Sequence, residues 1–405
     1  MSKADHLRAE DHVAFSRFMP EPDGAANGPP PIRATPYRWR DPAQIPAREW
    51  LYGRHLIRHF LSTTVAPGAV GKSSLVLVEA IAMVTGRPLL GITPPRCMRV
   101  WYIALEDPIE EIERRVAAIC LHYGIPPAEV EGRLFLDSGR TSEVVIATAT
   151  RDGTKVAEPV VSGLVRTIRE NRIDVAVVDP FVSSHRVGEN DNAAIDIVAK
   201  AWNRVAEEGQ AAVELVHHVR KGQGGAGEFT VEDGRGAGAL LAAARSARVL
   251  NPMTKEQAER AGVVSSRGHF RADNGKANLA PPPDRSEWFR FASVALGNGP
   301  NGGDHVAVVE PWQWPDPLES VSVEDLRKAQ RAIAGGRWRE SAQAKDWAGI
   351  PIAEALGIEL DKAGTSRVKA MLKTWIGTGM FVVVEGRDDR RKPVPFIEIG
   401  EAAND

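Results

Sequence analysis

The 405-residue chain has little cysteine, little net charge and no long apolar run, and each shortage excludes a class of protein. Its two cysteines, Cys97 and Cys120, support neither a disulfide framework nor a metal-ligand spacing, so a reduced, cytoplasmic setting is expected. No apolar stretch reaches the ~20 residues that cross a bilayer. The N-terminus, with Asp5, Glu10 and Asp11, does not have the form of a signal peptide. A formal net charge of −2 gives no bulk reason to bind a polyanion, so any such attraction is local. No short-period repeat is present. The rest of the composition, 43% apolar and 26% charged residues, is that of a globular protein long enough for two to three domains.

The chain is organised around Leu61-Ser-Thr-Thr-Val-Ala-Pro-Gly-Ala-Val-Gly-Lys-Ser-Ser-Leu75. This stretch reads as a strand ending at Val65, a tight loop, and a helix opening at Lys72 or Ser73. A phosphate-binding P-loop follows G-x-x-x-x-G-K-[ST]. Here Ala66 to Ser73 fills the pattern with one departure, Ala66 in place of the first glycine. In such a loop inward-facing N–H groups and a helix N-terminus attract phosphate oxygens, a lysine reaches them, and a hydroxyl takes Mg²⁺. The expected nucleotide-binding residues are therefore Gly68, Ala69, Val70, Gly71, Lys72, Ser73 and Ser74. Gly68 and Gly71 are the residues expected to supply positive φ, and Ala66 is acceptable only at ordinary φ.

Around this loop strands alternate with helices. Arg99–Leu105 and Ile173–Val178 are apolar on both faces, as buried parallel strands are. Residues 1–44 are proline-, glycine- and charge-rich and read as a largely disordered arm. Residues 45–296 read as an α/β nucleotide-binding domain with a mainly parallel sheet, carrying a hairpin insertion between Ser138 and Pro159. Residues 297–321, dense in Gly, Asn, Pro and Trp, read as a linker. From Ser322, which forms a capping-box pattern with Asp325, three helices and a hairpin give a winged-helix-like module over 322–405.

Carboxylates close two of the buried strands. Asp179 ends Val175–Val178 where a Walker-B carboxylate would meet the metal, making Ser73 and Asp179 the expected Mg²⁺ pair. Glu106 ends the strand one crossover after Lys72, where parallel strands present ligand-facing residues. A carboxylate there can deprotonate the water that attacks a γ-phosphate. Glu106 and Asp107 also suit capping of the following helix, and both roles can coexist with Asp107 as the cap. His217 and His218 end another strand, and adjacent strand residues face opposite ways, so one can face the phosphate while the other is structural. Glu214 in that strand is anomalous for a sheet covered on both faces.

Ala66–Ser74, Tyr102-Ile-Ala-Leu-Glu-Asp107, Val177-Val-Asp-Pro180, Leu215-Val-His-His218, Arg235-Gly-Ala-Gly-Ala-Leu240 and Lys276-Ala-Asn-Leu-Ala-Pro281 occur in this order. Together they resemble the RecA/DnaB-type hexameric ATPases, most closely the RepA-like replicative helicases of plasmids and mobile elements. The resemblance spans about Trp50 to Phe291. It implies a RecA-like fold and ATP with Mg²⁺. It also implies a homo-oligomer, a hexamer by family, acting on single-stranded DNA. By it, Glu106 matches the catalytic glutamate, Asp179 the Walker-B carboxylate and His218 the sensor histidine. Arg245 matches the arginine finger that enters a neighbouring subunit's site, with Arg248 a near rival and Lys276 a second trans-acting cation.

In such a ring Arg186 and Lys221 lie on loops facing single-stranded DNA. In the C-terminal module, Arg367, Lys369 and Lys373 on the third helix and Arg390 and Arg391 on the wing suit duplex DNA. The expected function is ATP hydrolysis coupled to translocation on single-stranded DNA. The alternatives are an ATP-switched DNA-binding regulator and a small-molecule P-loop kinase.

Overall fold

The computed structural model describes residues 33–219, 228–234, 237–263, 265–281, 286–387 and 391–402. The chain divides into two compact units, Met1–Ala47 and Arg48–Asp405. The described part of the first carries a single 3-10 turn, Pro42–Gln44, whose first turn is capped by the Asp41 side chain accepting from the Ala43 N–H.

The second unit begins with the short pair β1 (Trp50–Tyr52) and β2 (Leu56–Ile57), followed by β3 (Leu61–Ala66) and α1 (Lys72–Thr85). Next come β4 (Val100–Ala104), α2 (Ile109–Tyr123), α3 (Pro127–Val130), β5 (Leu134–Ser138) and the hairpin β6 (Ala147–Thr150) and β7 (Gly153–Val156). After the hairpin lie α4 (Glu158–Glu170), β8 (Val175–Asp179), α5 (Asn192–Gly209), β9 (Ala212–His218), α6 (Ala237–Ala243), β10 (Ser246–Pro252) and α7 (Lys255–Ala261). Three further strands, β11 (His269–Ala277), β12 (Glu287–Ala295) and β13 (His305–Pro311), finish the main body.

The main sheet has nine strands in the order β13-β12-β11-β10-β3-β9-β8-β4-β5. The six from β10 to β5 run parallel, and β11, β12 and β13 extend the β10 edge antiparallel. Side-chain alternation explains why both strand faces are apolar. Val100, Tyr102, Val175 and Val177 pack towards α1 and α2. Trp101, Ile103, Ala176 and Val178 point the other way, onto Leu164 and Ile168 of α4 and Val198 and Trp202 of α5. Truncating Leu164 to Ala would cost about 2–5 kcal/mol, because the layer between helix and sheet cannot close over the cavity.

The glycine-rich stretch after Ala295 does not lead straight out of this body. Asn298 holds the turn by accepting from the Asp304 N–H (2.8 Å) and donating to its carboxylate (2.9 Å). Gly302 and Gly303 take positive φ there. β13 then pairs with β12 along its whole length, so the expected linker is a hairpin plus an edge strand. The connection proper begins at Trp312.

Beyond it lie α8 (Val323–Ala334), β14 (Trp338–Arg339), α9 (Gly349–Leu356), α10 (Lys362–Gly377), β15 (Phe381–Arg387) and β16 (Pro393–Ile399). The strands form a sheet in the order β14-β16-β15 over a separate core containing Ile333, Ile352, Met371, Trp375 and Phe381. The Ser322 capping box is present in full: its hydroxyl accepts from the Asp325 N–H, and the Asp325 carboxylate accepts from the Ser322 N–H.

Glu214 is accounted for by a buried polar network. It accepts hydrogen bonds from the Thr64 hydroxyl and from His55, whose other ring nitrogen lies 2.9 Å from Ser246. Arg248 donates to Thr64 and pairs twice with Glu79 of α1. A carboxylate is tolerated between the layers because the Thr64 hydroxyl and His55 hydrogen-bond to it and the nearby Arg248 charge favours its ionised form.

Candidate nucleotide site

The loop between β3 and α1 lies at the C-terminal edge of the parallel strands. Ala66 is the last residue of β3, buried and at ordinary φ, so the missing glycine leaves the loop unstrained at its entry. The positive φ values fall at Ala69 (64°) and Gly71 (112°), not at Gly68, which corrects the expected pair. A side chain at Gly71 would be strained by its φ of 112°, and its Cβ would lie 2.4 Å from the tip of the Phe291 ring, which would have to move. Helix α1 opens at Lys72 without a side-chain cap, which leaves its first N–H groups for an anion.

The strand ends bring the chemistry together. Lys72 Nζ lies 3.0 Å from Nδ1 of His218, the last residue of β9. Burial pushes both pKa values down, and for His218 the Lys72 charge adds to the effect. Asp179 is buried at the end of β8, where the Ser73 and Tyr102 hydroxyls donate to it, the latter at 2.6 Å. Burial nevertheless raises its pKa. Glu106 comes just after β4 and is exposed; its Oε1 accepts from the Ser183 hydroxyl at 2.8 Å, and its field reaches both Lys72 and His218.

Asp107 does not cap α2, whose N-cap is Pro108 with no side-chain hydrogen bond; it pairs with Arg115 at 2.8 Å instead. His217 faces the opposite side, buried against Phe181 with ring centroids 5.4 Å apart, which fits a structural histidine.

An Mg²⁺-nucleotide fits these groups. The Ser73 hydroxyl and Asp179 carboxylate are adjacent oxygens of the kind a hard cation takes, beside an uncapped helix terminus. Among the described residues no three His, Cys, Asp or Glu side chains converge on one point, so phosphate and water oxygens would complete the coordination.

The remaining candidates lie elsewhere. Arg245 is exposed just before β10, its guanidinium 5.8 Å from the Phe60 ring centre. Its N–H donates to Leu61 O, at the opposite end of β3 from the loop. Five strand residues separate those ends, roughly 16 Å, so Arg245 does not reach this chain's own loop. Arg248, its rival, is excluded by its buried ion pair with Glu79. Lys276 Nζ donates to Leu241 O and Ala242 O, and is held inside its own chain rather than extended.

Arg186 pairs with Glu143 at 2.6 Å. Arg367 donates to the carbonyls of Pro317 and Glu319, so it anchors the connection instead of standing free. Lys369, Lys373 and Arg391 are exposed, while Lys221 and Arg390 lie outside the described residues. Sequence reasoning does not single out Tyr102, within β4, or Ser183, in the 3-10 turn after β8; their hydrogen bonds to Asp179 and Glu106 join separate elements, which periodicity does not reveal.

Residues 28–224 match a family model described as an AAA domain, a little under half of the chain. Over that stretch the chain is similar to P-loop ATPase domains, in keeping with its large, mostly parallel sheet. No curated protein matches the sequence. Among solved structures, "Crystal structure of the RadB recombinase" is similar at 18% identity over 58% of this chain and 88% of that one, with a TM-score of 0.38. No helix among the described residues is long and apolar enough to cross a membrane.

Proposed function

We propose that the chain is a RecA-like ATPase that assembles as a ring, taken as a hexamer, and moves on single-stranded DNA as a RepA-like replicative helicase. The observation that carries this reading is the meeting of Lys72, Ser73, Asp179 and His218 around one loop, with Glu106 held by Ser183 on the adjoining strand end. Lys72 would hold the β- and γ-phosphates, and Ser73 and Asp179 would hold Mg²⁺, which supplies charge neutralisation. Glu106 would take the proton of the attacking water, and His218 would sense the γ-phosphate through its contact with Lys72. Arg245, beyond reach of its own loop, would stabilise spread phosphoryl charge in a neighbour's site.

Turnover of ATP measured against protein concentration, with and without single-stranded DNA, tests this. The expected result is a specific activity that rises with concentration and with DNA. Activity independent of both would point to a small-molecule kinase or simple ATPase instead.

A second reading is an ATP-switched regulator of duplex DNA. It is favoured by the helix–strand–helix–helix–strand–strand order of the C-terminal module, which is that of a winged helix, and by exposed Lys369, Lys373 and Arg391. Sequence-specific duplex binding by the full chain without strand displacement would support it.

A further inference from the structure

Glu106, unlike Lys72 and Asp179, is not buried. It stands just past the end of β4, so hydrogen bonds and not the core must fix its carboxylate. Its carbonyl accepts from Nε of Arg140, early in the insertion between Ser138 and Pro159, at 2.8 Å. Its carboxylate accepts from Ser183, in the 3-10 turn Phe181–Ser184 that follows β8.

The residues that end and follow this turn are stitched to the hairpin of the same insertion. The Ile146 N–H donates to Ser184 O (2.8 Å), the Arg186 N–H to Ala147 O (2.8 Å) and the Ala149 N–H to Arg186 O (3.0 Å). Thr148 and Arg186 form a parallel bridge, so residues 184–186 lie along β6 as a short third strand. Ile146 and Ala147 are buried in the layer that holds Leu164 of α4 and Val198 of α5, which roots the hairpin in the body. From the α5 side the Trp202 indole donates to the Ser184 hydroxyl at 3.2 Å. Ser183 thus precedes a segment gripped from two directions.

We propose that the β6–β7 insertion is the positioning element of Glu106, with Arg140 fixing its backbone and the hairpin fixing Ser183. This rests on Glu106 being the base of the proposed hydrolysis. It adds that the alignment of that base is set by an inserted hairpin outside the main sheet. A base works only within hydrogen-bond reach of its water, and a misplacement of about 1 Å can cost 10²-fold in rate.

The test is a double-mutant cycle in ATP turnover by the full chain. Ala149→Pro deletes the N–H that β6 gives to Arg186, and Arg140→Ala deletes the bond to the Glu106 carbonyl from an exposed position. Each should lower kcat about tenfold or more and leave KM for Mg-ATP within about twofold. In a Glu106→Gln background neither should cost more than about twofold further, because the group they position is already gone. Residual turnover there is read with radiolabelled ATP under single-turnover conditions. Equal losses in both backgrounds would overturn the proposal, as would an unchanged kcat in both variants. If Ala149→Pro fails to fold, Arg140→Ala alone decides by the same two comparisons. No turnover in the parent protein, or full turnover in Glu106→Gln, would overturn the hydrolytic reading itself, a result distinct from failure of the positioning role.

Discussion

Arg248 and Glu79 meet through two hydrogen bonds of 2.6 Å each, between β10 and α1. Their exposures are 6% and 3%, so neither charge has water to fall back on. Removing one partner leaves the other buried and uncompensated. Arg248→Ala should therefore lose about 3–5 kcal/mol of stability in a denaturant titration. Arg245→Ala, three residues earlier and exposed, should leave the unfolding curve in place. A similar loss in both variants would mean that the buried network is not what separates the two arginines.

Glu106→Gln should retain Mg-ATP binding and lose turnover by about 10²–10⁴, the usual contribution of a positioned base. Equilibrium binding alongside steady-state hydrolysis checks this. Full turnover in the variant would remove Glu106 from the mechanism. Ser183→Ala, which frees the carboxylate without removing it, should lower turnover by less.

The two loop glycines should behave oppositely. Gly68→Ala meets no atom within 4 Å and demands no positive φ, so nucleotide binding should persist. Gly71→Ala places a methyl group into the Phe291 ring at φ 112° and should abolish it. Comparison of the two variants by ATP titration and thermal melting would show whether the strain is confined to Gly71.

Asp174 sets part of the acid limit. Burial works against its charge, but hydrogen bonds from Arg96 (2.7 Å), Arg58 (2.6 Å) and the Arg99 N–H (3.0 Å) outweigh it and hold its pKa below the ordinary value. A depressed carboxylate contributes stability that is complete above its unfolded pKa, near about 4, and that disappears as the pH falls through the lower folded value. Unfolding midpoints measured from pH 6 downward should fall below about pH 4 in the parent protein, and more shallowly in Asp174→Asn. Parallel profiles would show that this cluster does not titrate with folding.

Much of this arrangement is legible in the residues. The apolar runs ending at Asp179 and before Glu106 mark buried strands of a parallel sheet, because strands covered by helices on both faces are apolar on both. The hydroxyl–carboxylate spacing at Ser322 and Asp325 marks a helix start that the structure forms as expected. Long-range pairing is not legible. Glu214 looks misplaced in the sequence because its partners His55 and Thr64 come from distant stretches. The turn at Asn298–Gly303 has a linker's composition, and only pairing with β12 makes a strand of residues 305–311. Phe291 carries no local signal either, since its relation to Gly71 exists only once the antiparallel strands fold beside α1.

The position of Arg245 at the far end of β3 has a consequence for symmetry. The surface carrying Arg245 and the surface carrying the phosphate loop are different patches, at opposite ends of the parallel strands. A head-to-tail contact joining one to the other in successive copies is heterologous, whereas a twofold dimer could join them reciprocally only if both patches lay within one self-complementary face. Each added copy leaves one unmatched arginine face and one unmatched loop face until the rotation closes. Assemblies built this way have a polarity, and they end as closed rings or continue as open helices.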